Sequence, residues 1–213
     1  METLDAAEVR VLGSLIEKEA TTPEYYPLSL NALINACNQK SNRDPVVEYD
    51  EDTVYDAATR LREKRFALLN TGSGRVNKYS QRISETLNLG RRELAVLCTL
   101  LLRGAQTLGE IKDRSERMFN FADLAETESV LEKLAEWPGG ALVKKLARQA
   151  GQKEARYAHL LSGEPVWETT AASESHSVPA PTKVAQLESD LQRLRSDFEE
   201  LKQRFEALEQ QLR

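Results

Sequence analysis

Hydrophobic residues recur at helical spacing in three successive stretches, and two short strand-like runs follow them. Each stretch has apolar residues on one face and polar residues on the other, which is typical of an amphipathic helix. The runs at residues 66–69 and 76–79 flank Thr71-Gly72-Ser73-Gly74, which is typical of a hairpin turn. Three helices followed by a β hairpin is the order of a winged helix. The apolar positions of the three stretches are Val11, Leu12, Leu15 and Ile16, then Leu30, Leu33, Ile34 and Cys37, then Val54, Ala58 and Leu61.

The beginning of this pattern is repeated later in the chain. Residues 4–22 align with residues 89–107 without a gap. Such self-similarity indicates two copies of one supersecondary unit. The identical pairs are Leu4/Leu89, Glu8/Glu93, Val11/Val96, Leu12/Leu97, Leu15/Leu100, Ala20/Ala105 and Thr22/Thr107.

The second copy has the same order of elements as the first. Its second helix is predicted to begin at the capping box formed by Thr107 and Glu110. Strand-like runs then predict a second hairpin. We therefore expect a mainly α protein with small β hairpins, built from two tandem winged-helix domains at residues 1–86 and 87–164.

The composition changes after this repeat. Residues 165–182 are rich in Ser, Thr, Ala and Pro, which is typical of a flexible linker. Residues 183–213 then carry a heptad pattern that predicts a coiled-coil helix. Its a and d positions, the predicted oligomerisation contacts, are Val184, Leu187, Leu191, Leu194, Phe198, Leu201, Phe205, Leu208 and Leu212.

The charges beside this seam favour a parallel homodimer. Each g residue and the e residue five places later have opposite charges, as in Lys183 with Glu188 and Asp190 with Arg195. A single amphipathic helix that folds back on the rest of the chain is the alternative.

Composition limits the class of protein. The chain has 213 residues, of which 40% are apolar and 30% charged, with a formal charge of −5. These values exclude a collagen-like, mucin-like or wholly disordered chain. The acidic N-terminus, the lack of a long apolar run and two cysteines in helical patterns, Cys37 and Cys98, predict a cytoplasmic protein without a membrane segment.

Positive charge is concentrated in the predicted hairpins. Residues 60–82 contain seven cations and one anion, and residues 144–156 contain five cations and one anion. Cations on a hairpin beside a helix-turn-helix are suited to DNA phosphates, although edge strands also carry lysine simply to block aggregation. The candidate nucleic-acid contacts are Arg75, Lys78, Lys144, Lys145, Arg148 and Lys153, with Lys40 and Arg43 as secondary contacts.

Lys40 and Arg43 belong to a polar region between the first and third helices. Tyr25 and Tyr26 precede them and are candidates for stacking against a base or a peptide. The Asn residues of this region are also typical of helix caps and irregular loops.

The third helix of each copy opens with acidic residues, Asp50-Glu51-Asp52 and residues 123–128. Carboxylates at these positions would be repelled by phosphates. They favour a second hypothesis, a protein-interaction adaptor that does not bind nucleic acid.

Candidate catalytic and metal-binding residues are few. The chain has two histidines, His159 and His176, and no cluster of Cys or His at metal-ligand spacing. The glycine-rich turn at residues 71–75 has no Walker lysine after it. We therefore expect no metal, no cofactor and no enzymatic activity.

Several segments resemble the YceH-like family of bacterial proteins. They are Val11–Lys18, Thr21–Val46, Leu101–Thr107 and Gly151–Leu161, and the resemblance extends over roughly residues 3–164. It implies two winged-helix domains and no established biochemical activity.

Overall fold

The first half of residues 1–164 folds into helices packed on a small antiparallel sheet. The computed structural model describes residues 2–71, 76–149, 152–165 and Lys202. The elements of this half, in chain order, are α1 (Ala6–Thr21), a 3-10 turn (Pro23–Tyr25), β1 (Leu28–Ser29), α2 (Leu30–Cys37), α3 (Glu51–Glu63), β2 (Ala67–Asn70) and β3 (Lys78–Gln81).

The second half repeats this order after a short connecting helix. Its elements are α4 (Ile83–Thr86), α5 (Arg91–Arg103), β4 (Gln106–Thr107), α6 (Leu108–Ser115), α7 (Leu124–Ala135), β5 (Val143–Leu146) and β6 (Arg156–His159). The predicted helices and hairpins are therefore present in both halves.

Each hairpin gains one more strand from the segment before the second helix. In the described residues, the sheets have the strand orders β1-β3-β2 and β4-β6-β5, and every pair is antiparallel. In the first sheet Leu28 lies opposite Tyr79, and in the second Gln106 lies opposite Tyr157. The structure thus has mixed α and β content, with the helices predominating.

Side-chain caps fix where the helices begin. Asp5 and Glu8 form a capping box at α1, with both hydrogen bonds 2.8 Å long. The Asp50 carboxylate accepts from the Thr53 N–H at α3. The predicted capping box of Thr107 and Glu110 is confirmed at α6. These caps satisfy N–H groups that have no partner inside the helix.

The two halves share one hydrophobic core, because α1 packs against α5. Gly13 lies in this contact, where the Cys98 thiol donates to the Gly13 carbonyl oxygen with Sγ at 3.3 Å. These two residues occupy equivalent positions in the repeat, so the equivalent helices cross at equivalent points. The prediction of a domain boundary at residue 86 stays a prediction.

Residues 1–170 form one compact unit and residues 171–213 a second one. The coiled-coil positions from Val184 to Leu212, residues 166–182 of the predicted linker and the candidate contact Arg75 lie outside the described residues. Within the described ranges, no helix is long and apolar enough to cross a membrane.

Candidate nucleic-acid interface

The first hairpin presents Lys78 at the beginning of β3. Lys78 is exposed and lies opposite Ser29 and Asn70 in the sheet. Among the described residues it has no carboxylate partner. Of the two candidate contacts on this hairpin, Arg75 lies outside the described residues and Lys78 lies on the surface.

Other cations near this hairpin stabilise the fold. Arg60 pairs with Asp5 at 2.7 Å, and Lys64 pairs with Glu8 at 2.7 Å. Both carboxylates belong to the N-terminal cap of α1, so these pairs join the end of α3 to the beginning of α1. The charge count of residues 60–82 therefore overstates the charge that is available to a ligand.

The second hairpin carries two consecutive lysines whose side chains leave β5 on opposite faces. The Lys144 Nζ lies 2.6 Å from the Glu164 Oε2. The Lys145 Nζ lies 3.6 Å from the Glu128 Oε1 and 5.3 Å from the centre of the Tyr157 ring. Because both lysines are about half exposed, these ion pairs are weak and the lysines remain open to competition by a phosphate.

Arg148 and Lys153 flank the loop of the second hairpin. Arg148 follows β5 and Lys153 precedes β6, and both are exposed. In the part of the chain that the structure describes, neither has a carboxylate partner. These residues are the most available cations of this hairpin.

The structure corrects the assignment of Arg43. Its side chain is 0% exposed, and its Nη2 lies 2.7 Å from the Glu17 Oε2. The guanidinium also donates to the Ala36 carbonyl oxygen at 2.8 Å. An enclosed and paired guanidinium is not available to a phosphate, so Arg43 is not part of the interface. Lys40, in contrast, is exposed.

The region around Arg43 is polar because it is an internally bonded connection. Asn38 exchanges two 2.8 Å hydrogen bonds with the backbone of Tyr49. Arg10 is buried and donates to the carbonyl oxygens of Cys37 and Pro45, and burial lowers its pKa. The side chain of Asn38 and the carbonyl oxygens of Cys37 and Pro45 are therefore satisfied within the fold.

The two tyrosines before α2 have different environments. Tyr26 is half-buried, and its hydroxyl accepts from the Gln81 N–H at 2.6 Å, which ties it to β3. Tyr25 is 72% exposed and remains a candidate for stacking.

The third helix of each half exposes acidic side chains. Tyr55 on α3 and Leu124 on α7 lie among them, and each is 49% exposed. The exposed carboxylates are Glu51, Asp52, Asp56 and Glu63 on α3, and Glu132 on α7. The helices that would enter the major groove in a winged-helix complex are therefore negative, whereas the hairpins are positive.

The candidate nucleophiles Cys37 and Cys98 are buried, and the candidate base His159 is half-buried. Burial raises the pKa of Cys37 to about 11 and also raises that of Cys98, so both thiols are protonated near neutral pH. Burial lowers the pKa of His159 to about 4. Its Nδ1 is enclosed and has no hydrogen-bond partner within the described part of the chain. In the described ranges, no group of three or more His, Cys, Asp or Glu residues is arranged to hold a metal ion.

Comparison with known proteins places the chain in a family. Residues 4–152 match the model of DUF480, which is described as a family of proteins of unknown function. The chain belongs to the DUF480 family. A UPF0502 protein of Solibacter usitatus is 60% identical over 161 residues, which cover 76% of this chain and 77% of that protein. A UPF0502 protein of Citrifermentans bemidjiense is 54% identical over 191 residues, which cover 89% and 88%.

The DUF480 match includes the first half of the fold and the second half as far as the residues before β6. It begins at Leu4 and extends through β5 and Arg148. Gly13 at the helix crossing and the buried pair of Glu17 with Arg43 therefore lie within it. The family description assigns no activity, so the function has to be argued from the geometry of the site.

Proposed function

We propose that the protein contacts duplex DNA through its two basic hairpins, and that each half of residues 1–164 is a winged helix. The order of three helices and a hairpin in each half supports this assignment. The observation that carries the proposal is that Lys78, Arg148 and Lys153 are exposed on the hairpins without carboxylate partners among the described residues.

Contact through the hairpins fits the charges better than contact through the third helices. A lysine or arginine that meets a phosphate releases a counterion, which stabilises the complex without regard to sequence. Asp52 and Asp56 on α3 would be repelled by the same phosphates. We therefore propose that the hairpins supply most of the affinity and that the carboxylates of the third helices oppose it.

The proposal includes a dimer that acts without catalysis in the cytoplasm. The heptad pattern from Val184 to Leu212 supports a parallel pairing of two chains. Two linked copies present four basic hairpins to one duplex. Linked contacts bind more tightly than separate ones, since the second contact forms within the complex.

Fluorescence anisotropy with a labelled random duplex tests this proposal. The double variant Arg148→Gln/Lys153→Gln removes cations without a carboxylate partner among the described residues, whereas Lys144→Gln/Lys145→Gln removes cations that are already paired. We expect the first variant to weaken binding roughly tenfold and the second to weaken it less. The control Arg91→Gln removes an exposed cation from α5 and is expected to have little effect. Equal losses in all three variants would contradict contact through the hairpins.

The acidic third helices favour a second candidate function, an adaptor that docks a basic protein. Tyr55 and Leu124 would provide apolar contacts among the carboxylates. The variant Asp52→Asn/Asp56→Asn separates the two functions. It is expected to strengthen duplex binding if DNA is the ligand, because it removes repulsion. No duplex binding at low salt by either the wild type or this variant would favour the adaptor.

A further inference from the structure

A polar cavity of about 200 Å³ lies where the C-terminal ends of α1, α5 and α6 meet. Three arginines line it, namely Arg103, Arg114 and Arg117. None of the described hairpin residues lines it, so the cavity is separate from the interface proposed above.

The three guanidinium groups are only partly compensated by carboxylates. Arg103 donates to the Asn42 Oδ1, and no carboxylate in the described chain lies within 4 Å of it. Arg117 is exposed and has no ion pair within the same residues. Arg114 lies 3.3 Å from Glu110, but that carboxylate also pairs with Arg156 at 2.9 Å. The cavity therefore has a positive electrostatic potential.

The remaining carboxylates do not reverse this balance. Glu17 lines the cavity, but its charge is used by Arg43 at 2.7 Å. Asp113 is exposed and is the other anion of the lining. The pKa of Arg103 is lowered by burial and then by the nearby charge of Arg114, which agrees with an excess of positive charge.

We propose that this cavity binds a phosphate group. Guanidinium groups match the geometry of phosphate oxygens, and three arginines line this one small cavity. Asn42 also lines the cavity; its Oδ1 accepts from Arg103, and its side-chain amide N–H groups are neutral donors. The volume accommodates a phosphate and a few attached atoms.

Calorimetric titration of the full chain with inorganic phosphate, at constant ionic strength, tests the proposal. Arg117→Gln removes an exposed cation that has no ion pair among the described residues, and we expect it to weaken binding about tenfold. Asp113→Asn is expected to strengthen binding severalfold, because it removes a repulsive charge. The matched control Arg91→Gln removes one positive charge outside the cavity and should leave the affinity unchanged. No saturable binding, or equal losses in Arg117→Gln and Arg91→Gln, would overturn the proposal.

Two further titrations distinguish the sources of the phosphate. Ribose 5-phosphate represents a small phosphorylated molecule, and a random duplex represents the DNA backbone. If the ligand is small, Arg117→Gln weakens the binding of ribose 5-phosphate and leaves duplex affinity unchanged. If the ligand is DNA, Arg117→Gln weakens duplex binding and inorganic phosphate competes with the duplex. Since the first titration contains no DNA, its failure is independent of whether the hairpins bind DNA.

Discussion

Gly13 is expected to control how tightly the two halves of the fold pack. A Cβ added at this residue would lie 2.7 Å from the Leu102 Cδ2, 2.9 Å from the Leu102 Cγ and 3.2 Å from the Leu101 Cβ. Both leucines are buried in the core that the two halves share. Gly13→Ala therefore forces α1 and α5 apart or displaces core side chains.

The magnitude follows from two opposing terms. Overpacking a core costs about 1–3 kcal/mol, while replacing Gly by Ala inside a helix contributes about 0.5–1 kcal/mol of stability. We expect a net loss of about 1–2 kcal/mol, which lowers the Tm by roughly 2–8 °C for a unit of this size. Gly109 in α6 is the matched control, because a Cβ there meets no atom of the described residues within 4 Å. Gly109→Ala should be neutral or slightly stabilising.

Thermal and urea denaturation followed by circular dichroism measure these effects. A double-mutant cycle with Leu102→Ala tests whether the clash with Leu102 causes the loss of stability. Gly13→Ala should lower the free energy of unfolding much less when Leu102 is replaced by alanine. A Gly13→Ala protein as stable as Gly109→Ala would refute the claim that close approach at Gly13 joins the two halves. Additive losses in the cycle would refute the role of Leu102.

Other buried groups give three further predictions. Glu17→Gln leaves the Arg43 guanidinium buried without a carboxylate. Urea denaturation should therefore show that the free energy of unfolding falls by about 3–5 kcal/mol. A decrease below about 1 kcal/mol would contradict this reasoning. Burial lowers the folded-state pKa of His159 from 6.5 to about 4. As the pH falls, the unfolded state therefore takes up a proton before the folded state does, and the protein loses stability below about pH 6.5. Between about pH 7 and pH 5 this loss is about 2 kcal/mol, and it should be absent in His159→Phe. Cys37 and Cys98 should react with a thiol reagent only after denaturation, since both are buried and protonated. Rapid labelling of the native protein would contradict their burial.

The helices, hairpins and caps were predictable because their signals are local. A capping residue and its target lie three positions apart, as in Asp50 with Thr53 and Thr107 with Glu110. Strands β1 and β4 were not predicted, because two residues are too few to show an alternating pattern. They form because β3 and β6 offer unpaired backbone groups at their edges.

The candidate site was less predictable, because its charges are compensated by residues distant in sequence. Arginine side chains are usually exposed, so the sequence predicts that Arg43 lies on the surface. Only the folded structure shows that it is buried and paired with Glu17. Lys144 and Lys145 have the same side chain as Lys153, but Glu164 and Glu128 neutralise the first two. A local count of charges does not distinguish paired cations from unpaired ones.

The dependence of duplex affinity on salt concentration tests the proposed DNA contact most directly. Each phosphate contact contributes about 0.9 to the slope of log affinity against log salt. Because Arg148 and Lys153 are unpaired among the described residues, Arg148→Gln/Lys153→Gln should reduce that slope by about 2. An unchanged slope, or no binding of the wild type at low salt, would contradict contact through the hairpins.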